Sequence, residues 1–149
     1  DVYRREDMEA EHGLLYVDLD TLLRESDFVS LHTVLDDTTH HLISDEALGK
    51  MKSTAILVNA ARGPVVDSQA LYRALRDGEI AGAGLDVTDP EPIPMDDPLL
   101  TLDNCVIVPH IASASVRTRA EMSRIAATNL LNGVNKKPLL TCVNPEVYE

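Results

Sequence analysis

AILVNAA, at residues 55–61, is a short apolar run that ends at a cation, Arg62. Runs of this length, rich in branched side chains, are typical of strands that are buried on both faces of a parallel sheet. Stretches with helical character separate this run from others of the same kind, and the alternation indicates βαβ units. The sequence therefore predicts an α/β fold in which helices cover both faces of a parallel sheet.

Two further apolar runs are followed by polar residues that can carry chemistry. Glu91 lies just past residues 83–87, and His110 directly follows residues 106–109. Right-handed crossovers place the carboxyl ends of parallel strands at one edge of the sheet. Ligands of open parallel sheets bind beyond that edge. We therefore expect Arg62, Glu91 and His110 to lie together in a reaction centre.

The remaining elements follow from periodicity, capping residues and breakers. We expect helices at 5–11, 19–25, 45–51, after Asp67 and at 116–131, and strands at 28–31, 55–59, within 80–87 and at 105–108. Ser44, Asp67 and Ser115 are the expected N-caps. Gly133 is expected just past the last helix. Four prolines make residues 89–98 a loop, and the tail, with Pro138 and Pro145, is expected to be extended.

Composition excludes several classes of function. The chain has 149 residues, 44% of them apolar, which suits a globular domain with a sizeable core. Its net charge of −12 argues against nucleic acid and anionic membranes as partners. The two cysteines, Cys105 and Cys142, do not suggest a disulfide framework, and no spacing of ligands supports a metal site. With no long apolar stretch and no signal-peptide pattern, we expect a cytoplasmic protein.

The three strand-end residues have complementary chemistry. The Arg62 guanidinium is a planar fork that fits a carboxylate, and Gly63 permits a sharp turn beside it. His110 can exchange a proton near neutral pH. Glu91, between two prolines, favours the protonated imidazole if it lies beside it. Taken singly, each of these residues is explained better by a structural role; their shared edge is what indicates a reaction centre.

Several motifs in combination resemble a known family. NAARG at 59–63, VD at 66–67, AGAGLDV at 81–87, PEP at 90–92 and PHIAS at 109–113 are similar to the motifs of the D-isomer-specific 2-hydroxyacid dehydrogenases. Residues 85–122 most resemble the glyoxylate/hydroxypyruvate reductase branch. The resemblance implies that residues 1–133 form most of a Rossmann-like NAD(P)-binding domain, without its glycine-rich first part. Residues 134–149 would then be a tail that returns to a substrate domain, and the chain would be the C-terminal part of a longer enzyme.

The resemblance also implies a role for each matching residue. Arg62 would hold the substrate carboxylate and carbonyl oxygen, His110 would donate the proton, and Glu91 would pair with it. The implied cofactor-binding residues are Asp1, Thr33, Val34, Ala60, Ala61, Arg62, Asp86, His110 and Ala112. Asp1 would bind the adenosine ribose and favour NAD, whereas Arg4 and Arg5 leave NADP open. Val34, Asp36 and Ala112 depart from the family's usual Pro, Thr and Gly.

These observations predict an NAD(P)-dependent reductase that converts a small 2-keto acid, of the glyoxylate or hydroxypyruvate type, into the D-2-hydroxy acid. The resemblance implies a homodimer. Two alternatives remain at this point: an NAD-sensing scaffold of the same fold that binds partner proteins, and a fragment that is inactive alone. Formate dehydrogenases fit less well, because they usually carry Gln at the position of Glu91.

Overall fold

The computed structural model describes residues 4–148, which contain five helices and four strands. The helices are α1 (Glu6–His12), α2 (Leu19–Glu25), α3 (Asp45–Leu48), α4 (Ser68–Arg76) and α5 (Val116–Val134). The strands are β1 (Phe28–Leu31), β2 (Ile56–Asn59), β3 (Gly82–Leu85) and β4 (Cys105–Ile107). Short 3₁₀ helices cover Gly63–Val65, Pro98–Thr101 and Pro145–Tyr148.

The four strands form one parallel sheet in the order β1-β2-β3-β4. Their register aligns the carboxyl ends, because Leu31 lies opposite Asn59, Asn59 opposite Leu85, and Leu85 opposite Ile107. The segments that follow the strands therefore start from one edge of the sheet. This confirms the parallel arrangement expected from the apolar runs.

Buried aliphatic side chains from the strands, from α2, α3 and α4 and from the segments that connect them form the core. The largest of them, each no more than 1% exposed, are Leu23, Ile43, Leu48, Leu57, Leu71, Ile80 and Val65. Burying one such side chain contributes about 1.5–3 kcal/mol. On α4 the predicted face of Leu71, Ala74 and Leu75 is buried, and the Asp67 carboxylate accepts hydrogen bonds from the N–H groups of Gln69 and Ala70.

The end of the last helix differs from the expectation. α5 continues to Val134, so Gly133 lies inside the helix. A glycine within a helix costs only about 1 kcal/mol, which does not force the helix to stop. Lys136 instead adopts the left-handed conformation, with φ of 55°, and the Lys137 N–H closes the end on the Asn132 carbonyl at 2.8 Å.

Two shorter segments were also predicted wrongly. α3 ends at Leu48 and continues to Met51 only as a tight turn, in which the Met51 N–H donates to the Leu48 carbonyl. Ser44 occupies the N-cap position of α3 but makes no capping hydrogen bond with its side chain. The tail is not extended throughout, because Pro145 starts a 3₁₀ helix, where its fixed φ suits the first position.

The chain divides into two compact units after His110. In the second unit, α5 is joined to the following segment through Asn129, whose side chain binds the Thr141 hydroxyl and the Leu140 N–H. The Tyr148 hydroxyl accepts a hydrogen bond from the Leu139 N–H in the same unit. Among the described residues, no helix combines the length and apolar content that crossing a bilayer requires.

Candidate active site

Glu91 and His110 form a direct pair beyond the ends of β3 and β4. The Glu91 Oε1 atom lies 2.8 Å from the His110 Nδ1 atom, and both side chains are about half exposed. A carboxylate accepts the hydrogen of a protonated Nδ1, so Nε2 is the ring nitrogen at which His110 can exchange a proton. The predicted pairing of these two residues is present in the structure.

The backbone also holds His110 in place. Its N–H donates to the carbonyls of Asp86 and Val108, each at 3.0 Å. Its φ of 52° lies in the left-handed region, which is uncommon for residues other than glycine. Such conformations cluster at functional sites, where neighbouring contacts enforce them.

A cavity of about 650 Å³ lies against this pair. Asp86, Thr88, Glu91 and His110 form its polar part. The rest of its wall is mostly apolar and consists of Pro92, Ile93, Leu100, Ile107, Val108 and Pro109. An apolar pocket with a few convergent polar groups is the usual form of a small-molecule site.

Arg62 starts from the same edge but does not line this cavity. It is exposed, and its Nη1 atom donates to the Ala61 carbonyl at 2.6 Å. The turn that carries it is held by Asn59, which is buried and binds both the Ala61 N–H and the Arg62 carbonyl. The structure therefore joins Glu91 to His110 directly and places Arg62 on the neighbouring strand end.

Gly63 allows two backbone segments, its own and that of residues 88–89, to approach each other closely. A Cβ atom at this position would overlap the backbone of Thr88 and Asp89, in the segment that leads to Glu91. The chain turns at Gly63 into a 3₁₀ helix without a positive φ, so the feature of glycine that matters here is the absence of a side chain. Because of this contact, the Arg62 turn packs directly against the segment that precedes Glu91.

The predicted cofactor-binding residues occupy different surroundings. Ala61 and Asp86 are buried, Ala60 is half-buried, and Val34 is 74% exposed. Ala112 belongs to the second unit, and Asp1 lies outside the described residues.

Thr33 provides a test of whether a cofactor fits at this edge. Its Oγ1 atom is buried, and no hydrogen-bond partner for it exists within residues 4–148. A buried hydroxyl left without a partner costs about 1–3 kcal/mol. A polar ligand group beyond β1 would satisfy it, so the residues present fit a cofactor there.

Sequence reasoning missed the role of Asn59. The residue appeared only as the first letter of the NAARG motif. An Asn directly after a buried strand is nevertheless a signal, because its carboxamide readily binds the backbone two or three residues further on.

Comparison with known proteins identifies the class. Residues 1–112 match the sequence model of the D-isomer specific 2-hydroxyacid dehydrogenase, NAD binding domain. The chain belongs to this family. It is 60% identical over 149 residues to a glyoxylate reductase of Korarchaeum cryptofilum, covering all of this chain and 45% of that protein. It is 53% identical over 148 residues to glyoxylate/hydroxypyruvate reductase B of Escherichia coli, covering 98% of this chain and 46% of that protein. The chain thus spans less than half the length of these relatives.

Solved structures show the same fold. The D-isomer specific 2-hydroxyacid dehydrogenase from Lactobacillus delbrueckii ssp. bulgaricus, in its NAD complexed form, matches with a TM-score of 0.86 and 39% identity, over 97% of this chain and 47% of that one. D-lactate dehydrogenase with NAD+ from Lactobacillus jensenii matches with a TM-score of 0.87 and 35% identity, over 96% of this chain and 46% of that one. These findings confirm the Rossmann-like fold, the predicted family and NAD as the cofactor.

Proposed function

We propose that the protein carrying this chain reduces a small 2-keto acid, of the glyoxylate or hydroxypyruvate type, to the D-2-hydroxy acid. The observation that carries the proposal is the Glu91–His110 pair, 2.8 Å apart, on a cavity at the carboxyl edge of an NAD-binding sheet. The relatives named as glyoxylate and glyoxylate/hydroxypyruvate reductases support this choice of substrate class.

His110 is the proton donor in this proposal. Its Nε2 atom protonates the oxygen of the keto group as negative charge develops there. Glu91 binds Nδ1 and orients the ring, so that Nε2 faces the substrate. Arg62 binds the substrate carboxylate through its guanidinium, whose Nη1 atom donates to the Ala61 carbonyl and whose other N–H groups form the fork.

The cofactor supplies the redox chemistry: bound in its reduced form, it is the source of the hydride. The residues that would hold it are Asp1, Thr33, Val34, Ala60, Ala61, Arg62, Asp86, His110 and Ala112. The buried, unpartnered hydroxyl of Thr33 supports this placement. We propose NAD rather than NADP as the preferred form, because a carboxylate at Asp1 would repel a 2′-phosphate.

The wider organisation is part of the proposal. Residues 1–133 are assigned to the NAD-binding domain and residues 134–149 to a tail that returns to a substrate domain. The shorter length of this chain compared with its relatives supports that assignment. The whole protein is proposed to be a cytoplasmic homodimer, and the 149-residue chain alone to be inactive, since it contains no glycine-rich phosphate loop.

A steady-state assay of the complete protein with glyoxylate or hydroxypyruvate and NADH tests the function. We expect turnover, and we expect His110→Ala to lower kcat about 100-fold or more because the proton donor is lost. The affinity for NADH, measured by calorimetry, should remain close to that of the unmodified protein.

His12→Ala is the matched control, because His12 is an exposed histidine at the end of α1. It should leave kcat unchanged. Equal turnover in the His110→Ala variant would contradict the assignment of His110. Tight NADH binding without turnover on either acid would contradict the reductase function and favour a scaffold.

A further inference from the structure

Asn59 is a buried polar residue at the carboxyl end of β2. It is 1% exposed. Its Oδ1 atom accepts a hydrogen bond from the Ala61 N–H at 3.0 Å, and its Nδ2 atom donates to the Arg62 carbonyl at 2.9 Å. Both ends of the carboxamide therefore bind the turn at residues 60–62, where the Val65 N–H also donates to the Arg62 carbonyl at 3.2 Å.

The backbone of Asn59 connects the same turn to His110. The Asn59 carbonyl accepts a hydrogen bond from the Asp86 N–H at 2.9 Å. The Asp86 carbonyl in turn accepts one from the His110 N–H at 3.0 Å. Asn59 is thus hydrogen-bonded to the Arg62 turn through its side chain and to the path leading to His110 through its backbone.

Other side chains of similar size cannot make both contacts. Aspartate keeps an acceptor for the Ala61 N–H but has no N–H for the Arg62 carbonyl, and it would set two oxygens against each other. Leucine would leave the Ala61 N–H without this acceptor and would leave the Arg62 carbonyl with only the Val65 N–H, at 3.2 Å. The requirement is therefore for the carboxamide itself, with one donor and one acceptor.

We propose that Asn59 is a positioning residue for Arg62, fixing the turn from which the guanidinium reaches the substrate carboxylate. The proposal rests on the function proposed above, in which Arg62 binds that carboxylate. Asn59 itself does not touch the reacting atoms. Its effect on catalysis passes through Arg62, and it sets the placement of Arg62 relative to His110.

The test is a double-mutant cycle in the complete protein. Asn59→Asp should raise the KM for the keto acid and lower kcat/KM about 10- to 100-fold, the cost of a small misplacement of a binding group. The KM for NADH should change much less. In the Arg62→Ala background, Asn59→Asp should cause no further loss of kcat/KM, because the residue through which it acts is absent. Asn59→Ser provides a second, milder variant if the aspartate variant does not fold.

Asn104→Ala is the matched control. Asn104 is half-buried and donates to the carbonyls of Leu75 and Ala81, at 3.1 and 3.4 Å, before β4. Its loss should lower Tm without changing either KM.

Two outcomes separate the claims. Losses that multiply in the double variant, or an Asn59 variant that lowers only Tm, would overturn the role of Asn59. An Arg62→Ala variant with unchanged kcat/KM would overturn the proposed function at Arg62, and with it the basis of this inference.

Discussion

His110 is oriented by contacts on both its backbone and its side chain. The Asp86 carbonyl binds its N–H, Glu91 binds its ring, and its φ of 52° is a conformation that costs a residue other than glycine on the order of 1–3 kcal/mol. These hydrogen bonds offset that cost. In the proposed reaction, a histidine held in this way is already oriented, which lowers the cost of proton transfer.

Cys105 shows the opposite case, a residue whose chemistry is suppressed. Burial, together with the negative charge of Asp97, raises the pKa of the Cys105 thiol to about 11, from an ordinary value of 9.0. At neutral pH the reactive thiolate fraction is therefore about 100-fold smaller than for an ordinary cysteine. In a Cys142→Ala variant, we expect alkylation by iodoacetamide to be slow at pH 7 and to rise until the pH reaches about 11.

The same alkylation in urea is the control for this prediction. Unfolding removes the burial, so the rate should then rise at a lower pH. Folded and unfolded protein reacting at the same rate at pH 7 would show that the thiol is not protected.

At the scale of the element, the stability of α4 depends on its N-cap residue, Asp67. Asp67 accepts hydrogen bonds from the N–H groups of Gln69 and Ala70, at 2.9 and 3.0 Å. Replacing it with alanine leaves both groups without this partner, and we expect a loss of about 0.5–2 kcal/mol in the free energy of unfolding. Urea unfolding followed by circular dichroism measures the change.

Asp67→Asn is the matched variant for the cap. It keeps an acceptor oxygen, so the loss should be smaller than for alanine. Equal losses for both variants would show that the cap is not the source of the stability.

The strands could be predicted because their apolar runs are long enough to specify burial, as in residues 55–61. The end of α5 could not, because a glycine within reach of a helix end is only a weak signal. Where the helix ends depends on which of the following residues closes it with the lowest conformational cost. Here Lys136, rather than Gly133, marks the end and adopts the left-handed conformation.

At the scale of the whole molecule, the register of the sheet assembles the site. The last residues of the four strands are aligned across the sheet: Leu31, Asn59, Leu85 and Ile107. The segments that carry Arg62, Glu91 and His110 therefore start from the same edge. The shared edge could be predicted from the apolar runs, whereas the Glu91–His110 contact was implied by the family resemblance. The side-chain direction of Arg62 and the buried contacts of Asn59 and Gly63 could not, because they depend on how loops from different strands pack.

The central claim is that these strand ends act as one reaction centre. A double-mutant cycle of Glu91→Gln and His110→Ala in the complete protein, read out as kcat with glyoxylate and NADH, tests it most directly. If Glu91 acts through His110, each single variant should lose activity, and the double variant should be no slower than His110→Ala alone. Losses that multiply in the double variant would contradict the account, because the two residues would then act independently.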